Sequence, residues 1–140
     1  MMKFTTMTTT SKMTKTDSDA LHEHLKSVCL FFADYAANLL ACGATSMRTQ
    51  RNVARMAAKW NVSAQMIILP NTVDMCVWDA DREHSYKQTV SVPHKPISFA
   101  INTKLSNLSW LVVENSLPSF DDARKAYHCL LYTSPSPRDV

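Results

Sequence analysis

Residues Phe31–Ser63, FFADYAANLLACGATSMRTQRNVARMAAKWNVS, contain the single glycine of a 140-residue chain, and that glycine, Gly43, separates two helical patterns. A chain with one glycine has few positions where a positive φ costs nothing, so Gly43 marks a left-handed backbone position that closes the first helix. Upstream, Leu21, Leu25, Val28, Phe32, Tyr35 or Ala36, Leu39 and Leu40 recur at three- and four-residue steps. That period predicts a helix from about Asp19 to Cys42 with one buried face. At 1.5 Å per residue it is about 36 Å long, enough to span a domain of this size and reach toward a neighbour. Downstream, Thr45 or Ser46 can cap a second helix that turns Val53, Met56, Ala57 and Trp60 inward and ends near Asn61, a residue that tolerates αL geometry.

Arg48, Arg51, Arg55 and Lys59 line another face of that second helix at steps of three, four and four. A basic stripe is most simply a solvated face. The sharper reading is contact with an anion or a lipid headgroup, because arginine forks match phosphate and carboxylate. Overall charge gives that stripe its context. The net charge is +3, but Lys3, Lys12 and Lys15 account for it, and the chain beyond them balances twelve basic against twelve acidic residues. A neutral body argues against a nucleic-acid partner, which would need clustered Lys and Arg to displace counterions.

Working outward, residues 1–16 lack any period and are expected to form a disordered leader. After the second helix, Ala64–Pro70 is a short apolar run, and Val73, Met75 and Val77 alternate with Asp74, Cys76 and Trp78. Residues His84–Val92 alternate again, with turns at Pro70–Thr72 and Asp79–Arg82, so three antiparallel strands in a meander are predicted. Pro93 and Pro96 end the sheet. Ile101, Leu105, Leu108 and Leu111 or Val112 make a third helix ended by Pro118, and Ser119–Asp122 reads as a capping box opening a fourth, with Phe120, Ala123 and Tyr127 inward. The expected fold is thus α+β, in the order α-α-β-β-β-α-α, with a small antiparallel sheet packed on about four helices.

No catalytic constellation stands out. His22 and His24 are two residues apart and point in opposite directions on a helix, so they cannot share one metal ion. Asp79, Asp81, Glu83 and His84 cluster at the hairpin turn without the spacing or glycine of a calcium loop, and read as an exposed turn. Cys29, Cys42, Cys76 and Cys129 show no CxxC spacing and read as reduced thiols, and His24 is one residue off the helical spacing that would pair it with Cys29. Trp60, Trp78 and Trp110 read as core or half-buried aromatics. No cofactor or metal site is assigned and the chain is not read as an enzyme. No run reaches the roughly 18 apolar residues of a membrane span.

Three segments, NLLACGATSMRTQRNVARMA (Asn38–Ala57), WNVSAQMIILPNTVDMCVWD (Trp60–Asp79) and PISFAINTKLSNLSWLVVENSLPSFDDARKAYH (Pro96–His128), resemble the N-terminal soluble domain of the threonine/serine exporter family. The likeness covers about Leu21 to His128. It rests on the Leu-Leu-x-x-Gly-Ala helix end, the Arg that follows, and the Pro-Ile-Ser-Phe-x-Ile-Asn-x-x-Leu-Ser-x-Leu-Ser-Trp run. The chain departs from the family pattern at Gln50, where an acid is common, and at Trp60-Asn61, where Leu-Gly is usual.

The resemblance implies a domain, residues 17–128, on the cytoplasmic face of a bacterial inner-membrane exporter of threonine, serine or dicarboxylates. It implies a regulatory or assembly role, with no transport by this part alone. The implied partners are a membrane domain of the same chain, a second small membrane subunit, and copies of either in a homo- or hetero-oligomer. CLLYTSPSPRD (Cys129–Asp139) back-translates without a gap to a transposon-type sequencing adapter, so residues 129–140 are expected to be an artefactual tail on a fragment. The alternative is a stand-alone small-molecule binding or hydrolytic domain with Trp78, Asp79 and Asp81 around a pocket.

Overall fold

The computed structural model describes residues 15–94, 96–114 and 119–132. Its elements are α1 (Lys15–Ala41), α2 (Ser46–Lys59), β1 (Ser63–Ile68), β2 (Thr72–Trp78), β3 (Ser85–Ser91), α3 (Phe99–Val113) and α4 (Phe120–Tyr132). The order and the α+β class are those read from the sequence. Residues 1–14 of the expected leader, Pro118 as the stop of the third helix, and residues 133–140 of the expected tail lie outside the described residues.

Helix α1 differs from its expectation in two respects. It starts at Lys15 rather than near Asp19, since no proline or glycine between them halts it. Its second half is also buried all round and not on one face, for between Phe31 and Leu39 only Asp34 keeps partial exposure. The cause is enclosure: β2 and β3 cover one side, α2 and α3 others, and α4 closes the rest through Phe120 and Tyr127 against Phe31. A helix with no polar stripe between Phe31 and Leu39 is stable only in such a position. Its few polar groups are paired, as Tyr127 donates its hydroxyl hydrogen to Asp34 Oδ2 and Asn38 Nδ2 donates to the Tyr127 oxygen at 3.0 Å.

Two helix ends share one geometry. At Gly43, φ is +103°, Gly43 N–H donates to Leu40 O at 3.0 Å and Ala44 N–H donates to Leu39 O at 3.1 Å. At Asn61, φ is +60°, Asn61 N–H donates to Ala58 O at 3.3 Å and Val62 N–H to Ala57 O at 3.0 Å. Both are Schellman closures, in which a left-handed residue returns the chain and satisfies carbonyls that a helix end leaves bare.

The sheet is an antiparallel meander in the order β1-β2-β3, with Met66 opposite Met75 and Val77 opposite Tyr86. Val73, Met75 and Val77 point at α1 and are fully buried, while Asp74, Cys76 and Trp78 take the outer face. Ser98 Oγ accepts from Ile101 N at 3.2 Å to cap α3, and Leu105, Leu108 and Val112 are its core residues. Leu111 faces outward. Ser119 Oγ accepts from Asp122 N at 3.1 Å to open α4, which runs past His128 to Tyr132 with Leu130 and Leu131 partly buried against the core.

Candidate functional site

Helices α2 and α3 lie side by side and run in the same direction, because three polar bridges between them all join residues 54 positions apart. Arg48 Nη1 donates to Asn102 Oδ1 at 3.3 Å, Asn52 Nδ2 to Ser106 Oγ at 3.2 Å, and Arg55 Nη1 to Ser109 Oγ at 2.8 Å. On each helix these positions follow i, i+4, i+7, one face of a 3.6-residue period. Thr45 Oγ1 caps α2 by accepting from Arg48 N at 3.1 Å, so the capped N-termini of both helices sit at the same end. The positive ends of the two helix dipoles therefore lie together, beside Arg48.

Next to this ladder the helices leave a groove of about 370 Å³. One wall is Arg48, Arg51, Asn52 and Arg55 from α2, and the other is Thr103, Ser106, Asn107 and Trp110 from α3. Each wall follows i, i+3, i+4, i+7, which makes it a single helical stripe roughly 10 Å long. Arg55 is the most firmly held of the three arginines. Its Cζ lies 3.7 Å from the centroid of the Trp110 ring, and its Nη1 also donates to Asn52 Oδ1 at 2.9 Å. Below it, Tyr35 of α1 donates its hydroxyl to Leu105 O at 2.6 Å. Burial pushes the Tyr35 phenol up, only partly opposed by Asn52, Ser109 and the Arg55 charge, so it stays neutral.

The arginines have neutral partners only. None of the three pairs with an acid among the described residues, whose ion pairs, His84–Asp79 and Arg124–Asp121, lie elsewhere. The Arg51 side chain makes no hydrogen bond to any described residue and is exposed on the groove wall. Lys59, the fourth member of the basic stripe, sits in the last turn of α2 outside the groove. Three guanidiniums within roughly 10 Å and no neutralising carboxylate form a site of surplus positive charge.

The acids at the hairpin are arranged in the opposite way. Asp79 Oδ1 accepts from the backbone N–H of Glu83 at 3.0 Å and of His84 at 3.4 Å, and Oδ2 lies 3.1 Å from His84 Nδ1. Burial by itself would raise the Asp79 carboxyl, but the His84 ring and the two backbone N–H groups outweigh it and hold the carboxyl below its ordinary 3.8. Asp79 is therefore buried inside its own turn and is not exposed as the sequence suggested. Strand alternation also separates the alternative pocket residues: Trp78 lies on the outer sheet face under Arg82, while Asp79 and Asp81 border a hollow near Leu21 and Trp60.

The remaining candidates do not converge on one site. His22 and His24 diverge, one leaning edge-on against Tyr86 and the other against Phe120. Cys29 is buried and its thiol is pushed up to about 12 by desolvation and, secondarily, by Cys76. Among the described residues no group of three His, Cys, Asp or Glu could hold a metal ion.

Sequence reasoning named the arginine wall but not its opposite wall. Asn102, Ser106 and Ser109, the residues that bridge to α2, interrupt the third helix at steps of four and three, and that polar stripe was the available signal for the helix contact, though not for Thr103, Asn107 and Trp110. A family model described as "Putative threonine/serine exporter" matches residues 31–128, a span that takes in α2, the sheet, α3 and both groove walls. No curated protein and no solved structure matches the chain.

Proposed function

The chain belongs to the threonine/serine exporter family, and on that premise we propose that it is the cytoplasmic-side domain of a bacterial inner-membrane exporter of small polar metabolites. Its role in this reading is regulatory or assembly-related, and the groove between α2 and α3 is where it meets an anion. No described helix is long and apolar enough to cross a membrane. Translocation accordingly falls to membrane helices outside these 140 residues, in a membrane domain of the same chain or in a second small subunit.

The observation that carries this reading is the local surplus of positive charge at Arg48, Arg51 and Arg55 on a body that is neutral as a whole. A domain responds to a ligand only by the difference in affinity between its states. Three guanidiniums without counter-charges would supply such a difference to a state that holds them closer together, since a bound anion relieves their mutual repulsion. Contact with the membrane half falls to the exposed side of α4 and the first half of α1, because α1 from Phe31 to Leu39 is enclosed by its own domain.

The test is paired charge reversal, Arg48→Glu with Arg51→Glu, in the exporter that carries this domain. Both side chains are exposed, so folding is expected to survive, and circular dichroism checks that. Export of its solute should fall by half or more, or lose its dependence on cytoplasmic anion. Export identical to wild type on both counts overturns the proposal.

A further inference from the structure

We infer that the groove between α2 and α3 accepts the dianionic phosphate of a phosphate monoester and rejects zwitterionic amino acids. This rests on the anion-site reading above and names the ligand class of that site.

Four of the acceptors around the groove already take a donor. Asn102 Oδ1 accepts from Arg48, Asn52 Oδ1 and Ser109 Oγ both accept from Arg55, and Ser106 Oγ accepts from Asn52. An α-ammonium entering here finds no carboxylate among the described lining residues and three guanidiniums within roughly 10 Å, an arrangement that repels it. Donors, by contrast, are in excess. Each guanidinium carries five N–H groups, of which the contacts above use few, and the Thr103 hydroxyl and Asn107 amide add more. A single carboxylate offers two oxygens and one charge, and a dicarboxylate such as succinate spreads its two charges over two separate groups, so neither concentrates them on one set of donors. A phosphate monoester offers three terminal oxygens and a charge of about −1.5 to −2 at pH 7, which matches both the donor count and the surplus positive charge more closely.

Position supports the same class. Arg48 and Arg55 are held at either end of the wall by Asn102 and by Ser109 with Trp110, while Arg51 between them is unbonded and able to swing onto a group that lands there. The joined N-termini of α2 and α3 add a favourable field for an anion at the Arg48 end. The phosphate can come from a soluble metabolite or from phosphatidic acid in a bilayer. Its recognition chemistry is the same in both.

The test titrates the 140-residue chain calorimetrically with glycerol phosphate, succinate and serine. A parallel arm sediments it with phosphatidylcholine vesicles containing phosphatidic acid or phosphatidylglycerol. Glycerol phosphate should bind, succinate at least tenfold more weakly, and serine not at all. Arg51→Gln should weaken glycerol phosphate binding about tenfold, with Arg48→Gln as a second variant behaving alike. Retention on phosphatidic acid vesicles alone, without binding of glycerol phosphate, keeps the phosphate class and assigns it to lipid. Serine or succinate binding as tight as glycerol phosphate overturns the inference, as does equal retention on both anionic vesicles or an unchanged affinity in both variants. Phosphate binding that is intact while export ignores the charge reversal removes the regulatory reading and leaves this inference standing.

Discussion

The hairpin turn after β2 and the groove between α2 and α3 are both clusters of charge on a neutral body, yet they use that charge in opposite ways. At the turn, the Asp79 carboxylate is saturated by Glu83 N–H, His84 N–H and the His84 ring, all within five residues. In the groove, Arg48 and Arg55 lean on neutral oxygens from a different helix and Arg51 on none. The first cluster closes a loop and has nothing left to offer a ligand. The second keeps donors in excess of acceptors, so a count of donors and acceptors, more than charge density, separates a structural cluster from a binding site.

The sharpest way to break that contrast is Asp79→Ala. It leaves two backbone N–H groups without their acceptor, and the expected loss is about 2–3 kcal/mol of folding stability by chemical denaturation, with anion affinity of the groove unchanged. The pH dependence carries a sign that can be checked. Because the folded carboxyl is held below its ordinary 3.8, its contribution is present above that value and disappears as pH falls through the lower, folded pKa. Wild type should therefore lose stability relative to Asp79→Asn between about pH 4 and the acid limit, and a flat difference would show that the turn is not held by this carboxylate.

The element order was legible because periodicity and turn chemistry agree locally: Val73, Met75 and Val77 alternate into the core, and Ser98 and Ser119 sit where helices begin. Enclosure was not. Whether α1 is covered on one side or all round depends on how five other elements fold back on it, which no local period encodes. The arginine wall was visible as spacing on one helix. Its other wall was not, since Thr103, Ser106, Asn107 and Trp110 acquire meaning only from the parallel alignment that brings residues 54 apart into contact. The Asp79 cluster was seen as acids near a turn, but its inward orientation depends on the alternation that sends Trp78 the other way.

Gly43→Ala sharpens the comparison from the backbone side. An added Cβ meets Ile97 Cγ2 at 2.9 Å, but Ile97 is exposed and can move aside, so the cost comes mainly from holding φ at +103°. That cost is about 1–2 kcal/mol. Thr45, which caps the arginine helix, lies only two residues on. A drop in anion affinity beyond about threefold would mean that the groove depends on this joint. An affinity within that range, as expected, leaves the three polar bridges to α3 as what fixes the wall.

The smallest expected change in stability belongs to Arg51→Gln, and it is the most informative about the groove. The Arg51 side chain is exposed and forms no hydrogen bond or ion pair with a described residue, so its removal deletes none and relieves repulsion from Arg48 and Arg55. Without ligand, the variant should match wild type to within about 0.5 kcal/mol, with any shift toward greater stability. Adding glycerol phosphate to ten times its wild-type Kd should stabilise wild type by about 1.4 kcal/mol, because a ligand that binds only the folded state contributes RT ln(1 + [L]/Kd). At the same concentration the variant, binding tenfold more weakly, should gain only about 0.4 kcal/mol. Loss of stability in the variant without ligand would instead make Arg51 a structural residue, and the groove would then resemble the hairpin turn: charge held for the fold and not for a partner.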